Sequence, residues 1–228
     1  MAKLAHFLDR PIWHALNQHQ STYAIGGERA RRFMPEVGLF AATCDDAPDA
    51  LAALADLVRN HGPAVLLQVG DIPVPAGTTV QMTMLGVQMV AHNIEPLDPT
   101  PPVERLTATD APAMLALATA TQPGPFFART HELGTFWGVK VDGRLVAMAG
   151  ERMKLPGYTE VSAVCTDPAH RGKGYAGLLS RIVATQILSR GETPILHAYA
   201  SNTPAVRLYE QLGFELRTNV NVALLVRV

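Results

Sequence analysis

Cysteine residues and net charge, two features that help to identify the class of a protein, are both scarce in this sequence. The chain of 228 residues has two cysteines, and its formal net charge is only −1. Neither Cys44 nor Cys165 belongs to a CxxC pair, which favours a reduced, cytoplasmic protein. Because basic and acidic side chains balance, no sequence-wide field attracts the chain to DNA, RNA or an anionic membrane. We therefore expect no nucleic-acid partner.

Long apolar runs and nucleotide-binding spacings are also missing. No uninterrupted run approaches the roughly 18 apolar residues of a membrane span, and Asp9 and Arg10 interrupt the N-terminus before a signal-type core develops. We expect neither a targeting segment nor membrane binding. The glycine-rich stretch 171–177 has neither the GxxxxGK[ST] nor the GxGxxG spacing, which disfavours folds that bind nucleoside triphosphates or dinucleotides.

The composition changes most clearly in the middle of the chain, where four prolines fall within residues 95–102. Prolines at this density forbid a continuing helix and favour an extended connector. We therefore predict an N-terminal α/β domain over 1–95, a linker over 96–102 and a second domain over 103–228.

Hydrophobic periodicity predicts an α/β fold with mixed helices and strands. In the N-terminal part it predicts strands at 37–44 and 64–69, a helix at 48–61, and a hairpin or long strand at 78–91. In the C-terminal part it predicts helices at 110–120, 175–189 and 203–213, and strands at 135–141, 144–153, 160–166, 194–199 and 220–228.

Residues 160–189 place a strand, a glycine-rich turn and a helix in succession. The first turn of a helix presents unpaired N–H groups to an anion, and glycines let the anion approach the backbone closely. Arg171 and Lys173 add positive charge. A tight turn with solvated basic residues would give the same pattern, so this segment alone leaves both interpretations open.

Two ordered motifs carry a family resemblance. Arg171, Gly174 and Ala176 match the pattern [RQ]-x-x-G-x-[GA], and 202–214 match N-x-x-A-x-x-L-Y-x-x-x-G-F. Over roughly its last 125 residues the chain thus resembles the GNAT N-acetyltransferase superfamily. The resemblance implies a mixed sheet splayed open between two central parallel strands, with acetyl-CoA as the acyl donor. For 1–95 no motif matches, and we leave open a degenerate second copy of the fold.

The resemblance also implies which residues bind the cofactor. Backbone groups of three consecutive strand residues would pair with pantetheine, and the glycine-rich turn would hold the pyrophosphate, while an asparagine would contact the cofactor or cap a helix. The predicted cofactor-binding residues are Val164, Cys165, Thr166, Arg171, Gly172, Lys173, Gly174, Tyr175, Ala176, Gly177 and Asn202. A nucleophilic role for Cys165 is not favoured, since strand cysteines are usually buried and inert.

Transfer of an acyl group to an amine calls for a base and an acid near the splayed strands. The resemblance implies Glu160 as the first candidate for the base and His197 as the second, and Glu160 is expected on a strand face shared with Val164 and Thr166. A solvated carboxylate and a hydrogen-bonded core histidine are the alternatives. Tyr209 would protonate the departing thiolate, unless its ring only fills the interface between helix and sheet.

We thus predict an enzyme that transfers an acyl group from acyl-CoA to a primary amine by direct attack in a ternary complex. The alternative is a non-catalytic module that binds or senses CoA. We expect no metal. A small-molecule amine or amino acid is favoured over a protein as acceptor, and a homodimer is left open.

Overall fold

A computed structural model describes residues 6–96 and 102–228 of the chain. In these residues the helices are α1 (Pro11–Asn17), α2 (Pro48–His61), α3 (Ala111–Thr121), α4 (Tyr175–Ser189) and α5 (Thr203–Gln211). The strands are β1 (Ala24–Gly26), β2 (Ala30–Phe33), β3 (Ala41–Thr43), β4 (Ala64–Gln68), β5 (Thr78–Val90), β6 (Glu104–Leu106), β7 (Phe136–Val141), β8 (Arg144–Leu155), β9 (Tyr158–Thr166), β10 (Thr193–Tyr199) and β11 (Glu215–Arg227). The predicted α/β class is confirmed.

Eight of these strands form one mixed sheet in the order β4-β11-β5-β10-β9-β8-β7-β6, and β1-β2-β3 form a small second sheet. At the centre of the large sheet β9 and β10 are parallel, as predicted. β4 and β5 precede the predicted linker, yet both pair with β11. The predicted boundary therefore separates two stretches of chain that share one sheet. Residues 97–101 of the predicted linker 96–102 lie outside the described residues.

Helices are the elements whose bounds follow best from the sequence. α2 and α4 begin and end at the predicted residues. Residues 78–90, predicted as a hairpin or a long strand, form the single strand β5. β11 begins five residues before its predicted start, because it pairs with β5 along a polar, largely exposed stretch that lacks strand-like periodicity. α1, β1 and β2 were not predicted.

The helices cover both faces of the large sheet. On β10, Leu196 packs in the cluster beneath α4, whereas its neighbour Ile195 packs with the side chains of α1. On β8, Ala147 faces α4 and Met148 faces α3. Adjacent strand residues point to opposite faces, so α4 lies on one face and α1 and α3 on the other. Of the helices in residues 6–96 and 102–228, none combines the length and hydropathy that a membrane span requires.

Candidate active site

The two central parallel strands separate along their length. Their pairing ends where Ile195 faces Glu160, although β9 continues to Thr166 and β10 to Tyr199. An irregularity in β9 accompanies the separation, since Ala163 has φ +53° and the register with β8 shifts beside it. A bulge of this kind bends a strand and increases its twist. The gap therefore opens beyond the last paired residues.

The same bulge changes which side chains of β9 share a face. Val161 and Val164 both contact the cluster beneath α4, although strict alternation would place residues three apart on opposite faces. Cys165 packs with the side chains near α3 instead. The prediction that Glu160 and Val164 share a face is therefore wrong, because the bulge adds a residue between them.

The glycine-rich turn leads directly into α4. Gly172 and Gly174 have φ values of +77° and +78°, in the region that favours glycine, and Gly174 is the N-cap of the helix. Nothing lies within 4 Å of the position that a Cβ atom would take at either residue. Together with Thr166 and Leu208, residues 170–177 line a concavity of about 250 Å³.

Polar groups in this concavity suit an anion. The unpaired N–H groups of the first turn of α4 face it, with the positive end of the helix dipole. His170 also lines the concavity, and its buried Nδ1 atom lies 3.7 Å from Oδ1 of Asp167. Arg171 and Lys173 are exposed beside it. The residues present therefore fit a pyrophosphate group.

A buried ion cluster lies where the central strands begin to separate. Glu160 is 0% exposed, and its two carboxylate oxygens accept hydrogen bonds from Nε and Nη2 of Arg152 at 2.7 and 2.6 Å. Its Oε1 atom also lies 2.7 Å from Nδ1 of His197. Burial raises the pKa of Glu160, but Arg152 and His197 outweigh it and lower this pKa to about 2. Glu160 is therefore an anion that resists protonation.

Both ring nitrogens of His197 are engaged. Its Nε2 atom lies 2.9 Å from Nε2 of Gln88. Arg217 donates to Oε1 of Gln88 at 2.7 Å, so the NH₂ group of Gln88 must face Leu8 and His197. His197 Nε2 then accepts from Gln88, and Nδ1 carries the proton donated to Glu160. This network assigns His197 the neutral Nδ1–H form.

A cavity of about 310 Å³ extends from the gap between β9 and β10. Ser162, Ala163 and Val164 line one part, and apolar side chains of β4, β5 and β11 line another. Residues 122–125, β10 and the start of α5 also contribute. Arg152 and His197 contribute to its wall, whereas Glu160 does not. The acidic member of the ion cluster is thus shielded from the cavity.

α5 and its N-cap residue also line the same cavity. Tyr209 lies in its wall and packs edge to face on Phe214, with ring centroids 6.0 Å apart. Burial raises the pKa of Tyr209 to about 12, so the phenol remains protonated at neutral pH. Asn202 caps α5 by accepting a hydrogen bond from the backbone N–H of Ala205, and it also lines the cavity. The predicted helix cap is present.

The thiol of Cys165 is not poised for nucleophilic attack. It is 7% exposed, and burial raises its pKa to about 11. A thiol in this environment is protonated at neutral pH and unreactive. In the described residues, no group of three or more His, Cys, Asp or Glu side chains gathers closely enough to hold a metal ion.

The structure thus joins Glu160 to His197 and places Tyr209 and Asn202 on a shared cavity, with the glycine-rich turn in a neighbouring concavity. Sequence reasoning missed Arg152 and Gln88. Arg152 had a signal, because it lies eight residues before Glu160, across the turn that joins two adjacent strands. Gln88 had no such signal in the sequence, since it lies 109 residues from His197 along the chain.

Comparisons with known proteins bear on the family and the fold. Residues 138–222 match the model of the FR47-like protein family. A crystal structure of a putative acetyltransferase from the GNAT family of Novosphingobium aromaticivorans superposes with a TM-score of 0.92 and 43% identity, over 98% of this chain and 100% of that one. A GCN5-related N-acetyltransferase from Kribbella flavida has a TM-score of 0.68 and 19% identity over 96% of each chain, which shows the fold alone.

Among curated proteins, two relatives are mycothiol acetyltransferases. The protein from Thermomonospora curvata is 36% identical over 74 residues, which are 32% of this chain and 25% of that protein. The protein from Brachybacterium faecium is 36% identical over 80 residues, which are 33% and 24%. The matched region therefore spans about a quarter of these curated relatives.

Proposed function

This chain belongs to the GNAT family of acetyltransferases, and we propose that it transfers an acyl group, acetyl in the simplest case, from acyl-CoA to a primary amine. The observation that carries the proposal is the gap between β9 and β10, which lies between the glycine-rich concavity and the 310 Å³ cavity. A thioester held in this gap would meet an amine entering from the cavity.

We assign the cofactor contacts as follows. Residues 172–177, with Arg171, would hold the pyrophosphate at the N-terminus of α4. Backbone groups of Val164, Cys165 and Thr166 would pair with the pantetheine arm, because this part of β9 has no partner on the β10 side. Asn202, in the wall of the same cavity, would contact the arm as well as cap α5.

The reaction proposed is direct attack in a ternary complex. The amine nitrogen forms a bond to the thioester carbon, and the carbon–sulfur bond then breaks. The departing thiolate receives one proton, and the nitrogen loses one. The product is an amide and CoA, and no covalent acyl-enzyme is formed. The raised pKa of Cys165 supports this direct route.

We propose that Tyr209 donates a proton to the leaving thiolate. Its phenol stays protonated at neutral pH and lies in the cavity wall beside Asn202 and Ala205. The apolar surroundings that raise the pKa of the phenol would also raise that of the thiolate, so the two remain matched for proton donation. General acids of this kind typically accelerate a reaction about 10²- to 10⁴-fold.

We propose a positioning role for Glu160 in place of general base catalysis. It does not line the cavity, and the ion pair with Arg152 lowers its pKa to about 2, so it is a poor proton acceptor. Its bond to Nδ1 fixes the tautomer and orientation of His197. His197 could orient the amine or a water only after its Nε2 atom releases Gln88. Bulk water is then the simplest final proton acceptor.

The acceptor class proposed is a small-molecule amine or an amino acid. Two relatives are named mycothiol acetyltransferases, and this name points to a small-molecule substrate for those proteins. The match covers only about a quarter of the length of each. The setting proposed is reducing and cytoplasmic, which both free cysteines support.

The test is a turnover assay with a panel of primary amines. Purified protein and acetyl-CoA are incubated with each amine, the free thiol of CoA is measured, and the amide is identified by mass. Thiol release in proportion to amide, with a rate linear in enzyme, is the expected result. CoA binding by calorimetry without turnover of any amine would overturn catalysis and leave a CoA-binding module.

A further inference from the structure

We propose that the acceptor is a small primary amine whose substituent is apolar and carries no second positive charge. This inference rests on the function proposed above and adds the substrate class. It is drawn from the wall of the 310 Å³ cavity beyond the gap, which we call the acceptor cavity.

The wall of the acceptor cavity opposite the gap is apolar. Leu67 of β4, Met84 of β5 and Val222 of β11 contribute side chains to it. Leu67 and Val222 are 5% and 9% exposed, so they belong to the core and form a firm surface. A substituent on the amine that contacts them gains mainly from removal of apolar surface from water.

The charges around the acceptor cavity do not suit a second ammonium. Among the described residues that line it, none is an aspartate or a glutamate, and Arg152 is the permanently charged one. Glu160 balances that charge from behind the wall, where it is 0% exposed. A diamine would therefore bring its second cation against the apolar wall with no carboxylate to pair with it, and an unpaired buried charge is costly.

The volume of the acceptor cavity restricts the size of the amine. About 310 Å³ is at the lower end for ligand pockets, and the end near Val164 and Tyr209 must also admit the acyl thioester. The remaining volume accommodates a short aliphatic or aromatic group. Met82, which is 41% exposed, lies where this part of the cavity meets solvent, and an unbranched thioether adapts to different substituents.

The first experiment compares unbranched primary amines that differ in their substituent. With saturating acetyl-CoA, kcat/KM is measured for propylamine, butylamine, pentylamine and hexylamine, and for 1,4-diaminobutane, in which an ammonium replaces the terminal methyl of pentylamine. We expect kcat/KM to rise about fourfold per methylene until the cavity is full. The diamine should fall below pentylamine by on the order of 100-fold. A flat series, or a diamine equal to pentylamine, would overturn the inference.

The second experiment introduces a carboxylate at the mouth of the cavity. Met82→Glu should raise kcat/KM for 1,4-diaminobutane about two- to fivefold, the range of a partly exposed ion pair. Leu85→Glu is the matched control, because Leu85 is exposed on the same strand but does not line the cavity. Equal effects of the two variants would overturn the placement of the acceptor.

A binding measurement separates this inference from the proposed function. Pentylamine and 1,4-diaminobutane are titrated by calorimetry into the protein saturated with CoA, where no chemistry occurs. Tighter binding of pentylamine supports the apolar acceptor cavity even if turnover is absent, in which case only the catalytic proposal fails. Equal or tighter binding of the diamine overturns the inference even if turnover is present.

Discussion

Glu160→Gln isolates the charge of one buried carboxylate while its shape is kept. In the native protein this carboxylate accepts two hydrogen bonds from Arg152 and one from His197. A glutamine amide can accept only on its oxygen, and its NH₂ group would face N–H donors. The side chain of Arg152, 13% exposed, would keep its charge without a partner. Removing one member of a buried pair costs about 3 to 5 kcal/mol.

This loss is large enough to measure directly. In a chain of this size, 1 kcal/mol shifts Tm by roughly 2 to 4 °C, so we expect Tm to fall by about 6 to 20 °C. Urea unfolding at pH 7 should show a matching decrease in the free energy of unfolding. Asp56→Asn is the control, since the Asp56–Arg59 pair is exposed and worth less than about 1 kcal/mol.

The stability difference between wild type and Glu160→Gln should change with pH in a defined direction. The pKa of Glu160 is lowered in the folded protein, from 4.5 to about 2. A lowered carboxyl pKa contributes stability that is fully present above the unfolded pKa and is lost as pH falls through the folded pKa. The difference in stability between wild type and Glu160→Gln should therefore shrink between pH 4.5 and 2. A difference below 1 kcal/mol at pH 7, or one that grows on acidification, would refute the buried ion pair.

Three other substitutions test the remaining parts of the site. Gly174→Glu should weaken acetyl-CoA binding at least about tenfold by calorimetry, because its side chain would fill the concavity and oppose the phosphate charge. Gly191→Glu is the control, since Gly191 has φ +77° but lies outside the site. It imposes similar backbone strain and should leave the affinity for acetyl-CoA unchanged. Tyr209→Phe should keep affinity and fold but reduce kcat about 10²-fold, and an unchanged rate of the chemical step would exclude the acid role. Cys165→Ala should retain kcat within about threefold, whereas abolished single-turnover acyl transfer by a folded variant would point to an acyl-cysteine.

The turns and helices of the site were accessible from local sequence. Residues 171–176 and 202–214 fix a glycine turn, a helix start and a cap through spacing alone, since each depends on contacts within a few residues. The bounds of α2 and α4 followed from apolar periodicity for the same reason. These local signals were sufficient to indicate the family and the class of fold.

The chemical setting of the candidate site was decided only by tertiary structure. Glu160 looked like a free base in sequence, but the hairpin of β8 and β9 places Arg152 against it, and β10 brings His197. No residue type in the sequence predicts the bulge at Ala163, which places Val164 on the sheet face beneath α4. β4 and β5 joined the large sheet because strand pairing depends on partners far away in sequence. Local spacing encodes turns and helices, whereas burial and long-range pairing set the ionisation of Glu160 and the wall of the acceptor cavity.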